Sequence, residues 1–89
     1  GARGEALEQY VKRLRDLEAI AVRDPGVEKV YAMQAGRELR VIVKPEHVDD
    51  DAAALISHKI ARALENELEY PGQIKVTVIR ESRAVDIAK

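Results

Sequence analysis

His47 stands between Glu46 and the run Asp49-Asp50-Asp51, and His58 follows within the next helical stretch. Imidazole nitrogens and carboxylate oxygens are ligands for divalent cations, so this segment is the first place to look for metal chemistry. Its spacing matches no ligand motif: the chain has no H-E-x-x-H and no histidine directly followed by aspartate. A solvated loop and a helix cap account for every carboxylate here, and no metal ligand is assigned. Nucleophilic chemistry has less to work with. Ser57 and Ser82 are the only serines, neither lies in a G-x-S-x-G elbow, and cysteine is absent. Gly36 stands apart from other glycines, so the sequence holds no loop to cradle a phosphate. No residue qualifies as catalytic or cofactor-binding.

Binding is the next candidate. Arg37, Arg40, Lys44 and Lys75 fall in or beside strand-like segments and form a candidate RNA-contact set, though a solvated strand face is the commoner explanation. The chain as a whole offers no broad electrostatic grip on nucleic acid. Charged residues make up 35% of it, yet the net charge is −1 and the pI about 6.2. A helix leading into two strands and a second helix also invites comparison with type II KH domains, whose G-x-x-G loop approaches an RNA backbone. Asp51 to Tyr70 is instead one unbroken helical pattern without glycine, which speaks against KH-type binding.

The elements that must position these groups are legible from periodicity. Leu7, Tyr10, Val11, Leu14, Leu17 and Ala21 recur at helical spacing, predicting a helix over Ala6–Val22 with that stripe buried; Asp24-Pro25-Gly26 ends it. A strand over Val27–Gln34 and a second over Glu38–Lys44, where Leu39, Val41 and Val43 alternate with polar or outward residues, flank a reversal at Gly36. Pro45 stops the second strand. A helix over Asp51–Tyr70 follows, capped by one of Asp49 to Asp51 and buried along Ile56, Ile60, Ala63, Leu64 and Leu68. Pro71-Gly72 ends it, and Ile74–Arg80 makes the third strand.

Two amphipathic helices and three one-faced strands specify an α+β fold: a two-layer αββαβ sandwich, a three-stranded mixed sheet with both helices on one face. The third strand follows a helical crossover and should run parallel to the second. Alternation then leaves Ile42 and Ile79 on the opposite face, joined by Tyr31 and Met33, as a candidate self-association surface.

Size limits how stable such a fold can be. At 89 residues the chain is one small domain, and 13 of its 41 apolar residues are alanine, with three tyrosines and no Phe or Trp. An aliphatic core of this size gains from an oligomer or a covalent neighbour. No apolar run reaches the length of a membrane span, no signal peptide opens the chain, and the start without Met suggests a piece of something larger.

Particular segments add a resemblance. "GVEKVYAMQAGRELRVIVKPEHVDDDAA" and "ELEYPGQIKVTVIRESRAV" closely resemble the extreme C-terminus of the ribonuclease Y family, bacterial endoribonucleases, and "LEQYVKRLRDLEAIA" fits the helix leaving the family's catalytic domain. The resemblance implies a parent with a membrane-anchoring N-terminal segment at the cytoplasmic face, a coiled coil, a KH domain and a metal-dependent HD hydrolase domain. It places Mn²⁺ or Mg²⁺ in that HD domain, with no cofactor in this one. The implied role is a non-catalytic C-terminal domain of an mRNA-decay enzyme that positions or dimerises HD domains. Its expected partners are a second copy, RNA through the parent chain, and RNA-decay proteins, without direct membrane contact. An RNA- or protein-binding module is one alternative. Another is a metal-regulated dimerisation domain, because the element order also resembles the cytoplasmic domain of cation diffusion facilitator transporters.

Overall fold

The alternation Leu39-Val41-Val43 forms the central strand of a three-stranded sheet in the computed structural model, which describes residues 2–69 and 72–89. The elements in chain order are α1 (Ala2–Ala21), β1 (Val27–Met33), β2 (Glu38–Val43), α2 (Asp50–Glu67) and β3 (Lys75–Arg80), with a 3-10 turn at Gln34–Gly36. Sheet order is β1-β2-β3; β1 runs antiparallel to β2, and β3 parallel to it. The α2 crossover is what permits that parallel pairing. This is the α+β arrangement that the patterning specifies.

One aliphatic cluster joins the layers. Leu17, Ile20 and Ala21 of α1 and Ile56, Ile60 and Leu64 of α2 meet Leu39, Val41 and Val43, with Val48 closing one end. Both helices therefore lie on the same face of β2. At the α1–β1 corner Asp24 Oδ1 accepts a hydrogen bond from the Gly26 N–H at 2.8 Å. A Cβ on Gly26 would stand 2.7 Å from Val48 Cγ2, so any larger residue would force the buried Val48 side chain to shift. Asp49 caps α2, accepting from the Ala52 N–H at 2.8 Å, and Asp50 and Asp51 occupy the first turn, where the helix dipole favours them.

Several boundaries and one buried stripe differ from expectation. α1 begins at Ala2 rather than Ala6, and Leu7 and Val11 are 63% and 37% exposed instead of buried. A helix of 20 residues is about 30 Å long, whereas a strand of six spans about 20 Å, so one end of α1 overhangs the sheet. Ile20, outside the expected stripe, is buried instead. α2 stops at Glu67 because Leu68 is already extended (φ −122°, ψ 140°); the expected end at Tyr70, and Pro71, lie outside the described residues. β2 ends at Val43, and the next N–H, that of Lys44, donates to Gly26 O at 3.0 Å. The β1–β2 reversal uses three consecutive positive-φ residues, Gln34 (52°), Ala35 (57°) and Gly36 (82°), where glycine alone was expected. For the two non-glycines that conformation costs about 1–2 kcal/mol each.

Candidate functional site

The residues that suggested metal chemistry are spread out. Asp49 is the α2 cap, Asp50 pairs with Arg80 at 3.6 Å, and His47 and His58 are exposed. Among the described residues no three His, Cys, Asp or Glu side chains are grouped to hold a cation. Ser57 Oγ donates to Ala54 O at 2.7 Å within its own helix, and Ser82 is exposed in the segment after β3. No helix among the described residues is long and apolar enough to cross a membrane.

The sheet face opposite the helices gathers most of the other candidates. Strand register sets three cross-strand rows there: Met33–Glu38–Lys75, Tyr31–Arg40–Thr77 and Lys29–Ile42–Ile79. A bulge between Val27 and Lys29 puts Lys29 on this face and keeps Val27 on the core side. The proposed apolar contacts Tyr31, Met33, Ile42 and Ile79 thus share a face. Their exposure is unequal. Ile42 is 9% exposed, Met33 and Ile79 are half-buried, and Tyr31 is 46% exposed.

The four proposed RNA contacts do not converge in the same way. Arg40 and Lys75 lie on the outer face, and Arg37 is at the adjoining turn, where its carbonyl accepts from the Lys75 N–H at 2.8 Å. Lys44 sits at the other end of the strand, about 23 Å along from Arg37 at an extended rise. Its Nζ reaches Pro25 O at 3.4 Å.

Glu38 organises this face. It is 5% exposed and accepts from Gln34 Nε2 at 3.1 Å, Thr77 Oγ1 at 3.2 Å and Arg40 Nε at 3.4 Å. Burial alone pushes its pKa up. The hydrogen bonds from Thr77 and Arg40, with the charges of Arg40 and Lys75, outweigh that and hold it below the usual carboxylate value. Neither Glu38 nor Thr77 is a site candidate by sequence reasoning. Alternation places Glu38 beside Arg40, but its burial depends on pairing with a strand nearly forty positions away (|i−j| = 39 to Thr77).

Two further clusters serve the fold. Arg23 makes a bidentate pair with Glu67 at 2.6 and 2.7 Å, tying the end of α1 to the end of α2. The hydrogen bonds and charge of that pair lower the Glu67 pKa and raise that of Arg23 against partial desolvation. Arg80 donates from Nε to Val48 O and from Nη2 to Pro45 O at 3.2 Å, fastening the loop before α2 to the end of β3.

No family model matches the chain, and no solved structure does. Curated relatives do. All 89 residues align at 58% identity with proteins named ribonuclease Y from Streptococcus pyogenes serotype M5 (strain Manfredo), serotype M1 and serotype M12 (strain MGAS2096). The whole of this chain is covered, but it spans only 17% of each relative's length. Over its full length, therefore, the chain is homologous to the C-terminal part of ribonuclease Y.

Proposed function

We propose that this domain is a non-catalytic part of a ribonuclease Y-type endoribonuclease of mRNA decay, and that it positions the catalytic HD domains or brings two of them together. The overhang of α1 carries this reading. Leu7 and Val11, one helical turn apart, are exposed on the half of α1 that leaves the sheet. The match is to the C-terminal part of the relatives, and in this reading the body of such a protein meets this domain through α1. Apolar residues at i and i+4 make a stripe that docks on a neighbouring surface. In this reading the divalent metal, Mn²⁺ or Mg²⁺, and the scissile RNA belong to the HD domain, and membrane anchoring to an N-terminal segment.

A chimera tests it. Streptococcus pyogenes ribonuclease Y carrying this domain in place of its own C-terminal part should cleave RNA at the parental rate and keep the parental sedimentation coefficient. Leu7→Ser with Val11→Ser should lower the rate several-fold without unfolding the domain. The 89-residue chain by itself, with Mn²⁺ or Mg²⁺, should leave labelled RNA intact. Cleavage by that chain after rigorous removal of contaminating nuclease would refute the reading. So would a deletion of the domain that leaves both cleavage and assembly unchanged.

A further inference from the structure

We propose that the outer face of the sheet binds single-stranded RNA, with Tyr31 stacking on a base while Arg40 and Lys75 engage phosphates. The choice of RNA rests on the ribonuclease reading above; the surface itself is read from the sheet and owes nothing to α1.

Charge selects the class of partner. The three rows contain Lys29, Arg40 and Lys75 against one carboxylate, Glu38, a net of +2 across these rows in a chain of net −1, with the exposed Glu28 in the bulge beside Lys29. Two copies packed through it would oppose +2 to +2, and such like-charge juxtaposition disfavours the pairing. The aliphatic pair offers little compensation, since Ile42 is already 9% exposed. A polyanion instead gains from the same charges by releasing counterions.

Geometry selects a single strand. Tyr31 and Arg40 are direct cross-strand partners with 46% and 44% exposure, so ring and guanidinium sit side by side on an open surface. Bases splayed from a single strand stack on aromatic rings and guanidinium planes displayed by open sheets, which a paired duplex does not present. Arg40 is also pre-positioned. Its bond to buried Glu38 runs through Nε, which leaves the two terminal nitrogens as donors for phosphate, while Thr77 and Gln34 fix the carboxylate.

Fluorescence anisotropy of a labelled oligoadenylate titrated with the 89-residue chain tests the proposal. Affinity should fall steeply as salt rises. Tyr31→Ala should weaken binding about ten-fold and Tyr31→Phe should restore it, as stacking requires. Arg40→Ala and Lys75→Ala should each weaken binding and reduce the salt slope by about one. Lys12→Ala, on α1 in the other layer, should change nothing, and circular dichroism should show every variant folded. The absence of binding at low salt overturns the proposal, as does a loss from Lys12→Ala equal to that from Tyr31→Ala. Tighter binding of the matching DNA strand or of duplex RNA overturns it too. A sedimenting dimer that Ile42→Glu with Ile79→Glu breaks gives the face to a second copy and has the same effect. Cleavage by the chimera is read separately, so failure here is distinguishable from failure of the ribonuclease reading.

Discussion

Glu38 faces away from the helices and is nevertheless 5% exposed, because Gln34, Arg40 and Thr77 surround it with donors. Burial by itself would raise its pKa; the Thr77 and Arg40 hydrogen bonds and the nearby charges reverse the shift, so the folded value lies below the unfolded one. Such a group contributes stability at every pH above the ordinary glutamate range, and the contribution is lost as pH falls through the depressed folded value. Glu38→Gln should therefore lower Tm at neutral pH, and the gap from wild type should shrink on acidification. Thermal denaturation monitored from neutral to acid pH checks this; a gap that is constant with pH would mean the carboxylate's charge is irrelevant. Half of this arrangement is legible in the sequence. Period two puts Glu38, Arg40 and Ile42 on one face, but which residues of β3 lie opposite is set by long-range register, and no local pattern encodes that.

At the scale of elements, α1 divides into a packed half and an overhanging half. Leu17 is 0% exposed in the aliphatic cluster, so Leu17→Ala should cost about 3 kcal/mol through lost burial and a residual cavity. Leu7 is 63% exposed, and Leu7→Ala should change stability by less than about 0.5 kcal/mol. Urea denaturation of the 89-residue chain separates the two, and equal effects would show that α1 packs along its whole length. The helical period of α1 and α2 and the alternation of β2 are visible in the sequence because each repeats several times. How far a helix outruns the sheet beneath it is a tertiary quantity, and so the exposure of Leu7 and Val11 is not visible there. The β1–β2 reversal hides for another reason. Gly36 signals a turn, but Gln34 and Ala35 adopt positive φ against their own preference, held by Arg37 N–H to Gln34 O at 3.2 Å and Gln34 Nε2 to Glu38.

For the whole molecule, bulk properties conceal local ones. A net charge of −1 argues against a nucleic-acid surface only if charge is evenly spread, and here Asp49 to Asp51 belong to the helical layer, at the start of α2, while Lys29, Arg40 and Lys75 belong to the outer rows of the sheet. The radius of gyration, 15.1 Å, likewise exceeds the roughly 12 Å of a compact chain this long, in keeping with the overhang of α1 and the exposed segment 81–89 after β3.

What joins the distant parts is Arg80. Its guanidinium bonds the carbonyls of Val48 and Pro45 and pairs with Asp50, so the end of β3, the loop leaving β2 and the start of α2 share one side chain. Hydrogen bonds from a charged donor to carbonyls that would otherwise need solvent are worth about 1.5–3 kcal/mol. Arg80→Ala should lower stability by about 2 kcal/mol and accelerate amide exchange in the Lys44–Asp49 loop ahead of the strands. Arg80→Lys should recover only part, because one ammonium cannot reproduce a planar fork that reaches two carbonyls and a carboxylate. Urea denaturation with residue-resolved hydrogen exchange measures both. Full recovery by lysine would reduce the role of Arg80 to its charge, while unchanged loop exchange in Arg80→Ala would mean that the Val48 packing against Gly26 holds the loop without it.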